Sequence, residues 1–178
     1  TYYVSDGAKQ TVFFPQVNCL KNLRWQMTVN DAIIVQVKKM MIDQNGDIPT
    51  TVEEVIGNFE IKNNQRQVLS LTLKNYTYHE QAAHGMTVIK SLTFDMLKEE
   101  ICLLKDLFLV NSNYIERISS IIKAQIHARD IPLIEEFTRI ESNQDFYIAD
   151  KALVIYFQLY DLTPYVFGFP MFPISVYE

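Results

Sequence analysis

The sequence has few of the groups that usually do chemistry. Its 178 residues include two cysteines and three histidines, and there is no P-loop, dinucleotide fingerprint, nucleophile elbow or zinc-protease helix. This argues for binding rather than catalysis, and no catalytic residue, metal ligand or cofactor is assigned. Basic stripes are missing too. With a formal net charge of -5, nucleic acid is not an expected partner, because phosphate binding needs clustered Lys and Arg. No run approaches the roughly eighteen apolar residues that cross a bilayer, and no signal peptide is visible. The chain starts at Thr1 without a methionine, which leaves a signal or membrane anchor upstream as an expectation. Internal repeats, low-complexity tracts and flexible linkers are also missing. No oligomeric state is assigned.

What is present is ordinary for a folded globular chain: 48% hydrophobic and 21% charged residues, with 11 Phe and 10 Tyr to build a core or an aromatic surface. Thr11 to Phe14 reads as a strand ended by Pro15. Val29, Ile33, Val37 and Met40 then repeat at helical spacing. Thr28 followed by Asp31 suggests the N-terminal cap, and Asn45-Gly46, with Pro49 beyond, suggests the stop. From about 51 to 95 the period changes to two. Val52, Val55, Phe59 and Ile61 suggest a strand bent near Gly57, with a turn at Asn63-Asn64. Leu69, Leu71 and Leu73 alternate with Ser70, Thr72 and Lys74, predicting a strand with one buried face. Val88 to Phe94 returns after a loop at Gly85.

A short helical turn is expected over Leu103 to Phe108, then the strongest helix. Asn113 and Glu116 form a capping-box pattern there, with Ile115, Ile118, Ile122 and Ile126 as the buried stripe, and Glu116, Arg117, Ser119, Lys123 and Gln125 facing solvent. Pro132 bars its continuation. Tyr147-Ile148 and Leu153 to Leu159 read as a hairpin around Asp150-Lys151, and the proline-rich tail reads as an edge segment. These elements predict an α+β fold with antiparallel sheets packed against two main helices. A helix-plus-strand module at 1–63 precedes a meander–helix–hairpin module at 64–178, with a shared core.

Several residue types could carry chemistry, and each has a plainer reading. His79 and His84, with Asp95 or Glu80, could contribute to a zinc set, but His84 reads better as a group that holds its own loop in shape. Two lone cysteines are more often buried free thiols than one disulfide. The apolar neighbours of Cys102 would raise its thiol pKa rather than activate it. Asp106 reads as a charge at a helix start and Asp161 as a turn residue. The tail aromatics are the best surface candidates: Tyr156 and Phe157 are expected in the core, whereas Tyr165, Phe167 and Phe169 are candidate binding residues alongside His84 and Gly85.

A series of segments carries a resemblance over roughly residues 66–178. It runs through Leu69-Ser70-Leu71-Thr72-Leu73, Tyr76-Thr77-Tyr78, Ala83-His84-Gly85, Leu92-Thr93-Phe94-Asp95 and Leu104-Lys105-Asp106-Leu107-Phe108. It continues with Gln144-Asp145-Phe146-Tyr147, Leu153 to Gln158, Tyr160 to Tyr165 and Gly168-Phe169-Pro170. In order and spacing these resemble the extracytoplasmic domain family shared by the lysozyme-sensing anti-sigma factor RsiV and the non-catalytic region of PdaC-type peptidoglycan deacetylases. Phe14-Pro15-Gln16-Val17 and Val29 to Ile33 resemble the smaller module that precedes it. The chain departs from the family pattern in two loops, at Gln81-Ala82 and at Met96 to Glu99. The resemblance implies an extracytoplasmic recognition domain of a Gram-positive bacterium, either secreted or membrane-anchored. Its implied ligand is a lysozyme-like protein or a peptidoglycan fragment. An accessory or structural domain of a secreted or spore-associated protein, and a glycan hydrolase using His84 with a carboxylate, are the alternatives.

Overall fold

The computed structural model describes residues 2–3, 9–18, 20–46 and 51–175. Cys19 and Pro49 lie outside the described residues. The strands β1 (Tyr2–Tyr3), β2 (Lys9–Phe13), β3 (Val52–Gln65), β4 (Val68–His79), β5 (Met86–Asp95) and β6 (Glu100–Ile101) form a sheet in that order. A second sheet has the order β7 (Phe146–Ala149), β8 (Ala152–Tyr156), β9 (Met171–Ser175). The helices are α1 (Leu23–Asn45) and α2 (Tyr114–Ala128). The fold is α+β, as expected. Pairing is mostly antiparallel; β2 and β3 run parallel because α1 connects them, and parallel neighbours need such a crossover. The chain forms two compact units, Thr1–Ile61 with Leu71–Leu92, and Lys62–Ser70 with Thr93–Glu178. Among the described residues, no helix is long and apolar enough to cross a membrane.

In the first unit α1 buries Trp25, Val29, Ile33, Val37 and Met40, the face that the helical periodicity marks out. The helix starts a turn and a half before the expected cap. Asn22, not Thr28, is the N-cap: its Oδ1 accepts the Arg24 and Trp25 amides at 3.0 and 3.2 Å. Thr28 lies inside the helix, where its hydroxyl donates back to the Arg24 carbonyl, a bond that competes with its use as a cap. Gly46 ends the helix at φ 62, where a residue without Cβ costs least. Gln44 fastens this end. Its amide donates to the Asn75 and Met86 carbonyls and accepts from the Asn75 side chain.

Two expectations about the strands are corrected. β3 runs on through Asn63 and Asn64, and the hairpin turns at Arg66 and Gln67, with φ 52 and 62. Two consecutive left-handed residues make the tight turn that strand twist favours. Asn63 supports it from within the strand, donating to the Gln65 and Val68 carbonyls. β4 is buried on both faces from Leu69 to Leu73, not on one. Ser70 is tolerated inside because its hydroxyl pairs with that of Thr93 at 2.8 Å and accepts the Ile148 amide at 3.0 Å.

The second unit has a core of Leu104, Ile118, Ile122, Ile140, Ile155 and Phe172, with others around them. A 3-10 turn at Leu104–Leu107 and α2 form where expected. Asp106 accepts the Leu103 amide at 2.8 Å, as its position at the turn suggested. Two details of α2 differ. Asn113 is the N-cap, but its side chain makes no capping bond. Ser119 is buried rather than solvated, because its hydroxyl donates to the Ile115 carbonyl and accepts the buried Ile140 amide at 3.0 Å. The tail is indeed an edge strand, pairing with β8. Its outward carbonyls are bonded by α2: Gln125 to Pro173 and Arg129 to Met171, both at 2.8 Å. Pro173 also withholds a donor, so this edge offers little to a further strand.

Candidate functional site

The candidate residues fall in different units. His84 and Gly85 belong to the first. The His84 ring is exposed, and its Nδ1 lies 3.0 Å from the Gly85 carbonyl, to which it can only donate. Gly85 is buried, and a Cβ there would stand 2.2 Å from the Tyr76 ring, so that ring requires glycine. His79 is engaged on both nitrogens. Nε2 donates to the Gln44 carbonyl and Nδ1 accepts from the Thr51 hydroxyl, each at 2.8 Å. Neither nitrogen presents a lone pair to a metal. Asp95 accepts the Leu97 and Lys98 amides, which shapes the turn after β5. Among the described residues, no group of three or more His, Cys, Asp or Glu side chains stands close enough to hold a metal ion. Cys102 has a free thiol that is half-buried. Burial pushes its pKa up, and the carboxylates of Asp95 and Asp106 add to this.

Tyr165, Phe167 and Phe169 belong to the second unit, on the turn that leads from β8 to β9. A 3-10 turn at Tyr165–Phe167 sits between Pro164 and Gly168. Pro164 starts it in extended conformation, and Gly168 leaves it at φ 77. The turn presents Val166 at 93% exposure and Phe167 at 39%, whereas Phe169 is half-buried. Before it stands Tyr160, 46% exposed and left-handed at φ 68. The rings of Tyr160 and Tyr165 pack at 5.5 Å. Asp161 holds this stretch by accepting the Gln158 amide, in line with its expected turn role. Tyr156 and Phe157 are core residues, as expected, and Phe172 joins them there.

A second feature was not singled out in the sequence. Between α2 and the three-stranded sheet lies an apolar slot of about 990 Å³. Its outer lip includes Leu109, at 86% exposure. The signal lay in the run Ile101 to Val110, which holds more apolar residues than one short turn can bury.

Comparison with known proteins follows this geometry. Residues 105–177 match the family described as a protein of unknown function, DUF3298. The matched stretch contains α2, the whole three-stranded sheet, the aromatic turn and the slot. A curated relative, the peptidoglycan-N-acetylmuramic acid deacetylase PdaC of Bacillus subtilis, is 24% identical over 135 residues. The alignment covers 72% of this chain but 29% of the deacetylase. Two solved structures share the fold. A DUF3298 protein of Pseudomonas aeruginosa aligns with TM-score 0.60 and 13% identity, over 98% of this chain and 87% of its own. A DUF3298 member from Bacteroides fragilis aligns with TM-score 0.56 and 14% identity, over 86% and 62%. These findings agree with the family resemblance drawn from the sequence.

Proposed function

We propose that this chain is a non-catalytic, extracytoplasmic recognition domain of the cell envelope of a Gram-positive bacterium. In this reading it binds a protein, of which a lysozyme-like enzyme is the first candidate, through the aromatic turn at 160–169. The envelope placement is supported by relatedness to part of a Bacillus peptidoglycan deacetylase. The lysozyme-like partner rests on the resemblance to the anti-sigma factor.

The observation that carries the reading is Tyr160. A bulky residue in the left-handed region costs about 1–2 kcal/mol, and Tyr160 holds that conformation with 46% of its surface exposed. Tyr160 is the one aromatic residue among the eight described non-glycine residues with positive φ, and strain of this kind motivates a functional reading. The strained residue packs on the half-buried Tyr165 beside Val166 and Phe167, and tyrosines are favoured anchors of protein interfaces.

The test is retention of lysozyme and of muropeptides on the immobilised chain. Lysozyme should be retained, and a Tyr165→Ala, Phe167→Ala double variant should release it without loss of fold. Retention of muropeptides alone would move the ligand from protein to glycan. Retention of neither would remove the proposal.

A further inference from the structure

The slot in the second unit is separate from the aromatic turn and has the construction of a ligand site. One wall is a cross-strand row, with Ile148 opposite Leu153 and Leu153 opposite Ile174, so the three side chains share a face. The other wall is Tyr114, Ile118 and Ile121, four and then three residues apart on α2, also one face. On α2 the lining stops at Ile121, and beyond it Gln125 and the C-cap residue Arg129 tie the end of the helix to β9. The two layers part toward the helix N-terminus. The opening is a half-open groove of about 990 Å³. It falls at the upper end of the usual range for small-molecule sites.

We infer that this slot takes the aliphatic chain of a fatty acid, tail inward. The lining selects that chemistry. Both walls are mainly branched aliphatic side chains, which suit a hydrocarbon. The two rings at the slot, Phe108 and Tyr114, stack on each other at 4.7 Å and 7°, so they do not form a sandwich for a flat ligand. Four polar residues, Ser112, Asn113, Glu116 and Arg117, are exposed along the helix-side rim, and Ser175 lies on the strand side. The Asn113 amide makes no helix cap. A head group hydrogen-bonded at this rim stays in water while the tail is desolvated.

Chain length provides the test, read by calorimetric titration of the whole chain with monomeric laurate and decanoate. Each buried methylene contributes enough that removing two should weaken binding about 15-fold. Laurate should bind one to one, and the methyl signals of Ile118, Ile121, Ile148 and Ile174 should shift. Ala152→Phe, which fills the slot from its edge, should weaken laurate binding about tenfold or more. If that variant fails to fold, the methyl shifts and the chain-length ratio in the unaltered chain still decide. Equal affinity for the two acids, no binding of either, or binding only to phosphatidylglycerol vesicles would each overturn the inference.

Discussion

In the first unit α1 is capped at its start by Asn22 and tied at its end by Gln44 on the Asn75 and Met86 carbonyls. The gap beside Val12, Val37, Met40 and Leu73 is only about 10 Å³. In the second unit α2 is tied to its sheet by Gln125 and Arg129 near the C-terminus, and its first turn has no side-chain cap. There the helix and sheet layers part by a slot of about 990 Å³. Both units place an apolar helix face on a sheet. Both helices are tied to a sheet near their C-terminal ends; they differ at their starts, where α1 has a side-chain cap and α2 has none, and the slot lies beside that uncapped start.

Equivalent truncations in the two helices test this contrast most strongly. Ile33→Ala, in the closed layer, should cost about 2–5 kcal/mol by chemical denaturation. Ile121→Ala, on the wall of the slot, should cost below about 1.5 kcal/mol, because fewer neighbours surround it. Equal losses would mean the slot is packed as tightly as the core. Next in size is Ser119→Ala, expected to cost about 1–3 kcal/mol by leaving the buried Ile140 amide without its acceptor. A neutral result would show that α2 is not held there by Ser119.

The helix starts give a smaller and cleaner comparison. Asn22→Ala should lower stability by about 1 kcal/mol. Asn113→Ala should change it by no more than about 0.5 kcal/mol, since its side chain caps nothing. Thermal melts of the two variants read the difference directly, and a larger loss at Asn113 would reverse the contrast.

The smallest effect is the pH dependence of Cys102. Its folded pKa is raised, chiefly by burial, so folding favours the protonated thiol. The stability this contributes is complete below the ordinary thiol pKa and is lost as pH rises from there through the raised value. Alkylation by iodoacetamide near neutral pH should therefore be slower in the folded chain than after denaturation. An equal rate in the two states would contradict the raised pKa.

Local periodicity was enough to place both helices, the 3-10 turn, the hairpin around Asp150 and the edge strand of the tail, because each depends on spacing between near neighbours. It named Tyr165, Phe167 and Phe169 as candidate surface aromatics, of which Phe167 is exposed and Tyr165 and Phe169 are half-buried. Positions whose environment comes from distant residues were misread. Ser119 looks solvated until Ile140 supplies its partner, and Ser70 looks like the outward face of β4 until Thr93 and Ile148 meet it. Asn63 looks like a turn until the turn forms at Arg66-Gln67 and draws on its side chain.

The sequence by itself determined the α+β class, the order of the elements and the apolar face of each helix, since those follow from 3.6- and two-residue periods. Only the tertiary structure decided which helix closes on its sheet and which leaves a slot. That depends on how each helix face packs against strands far away in the chain, and no local period records those meetings.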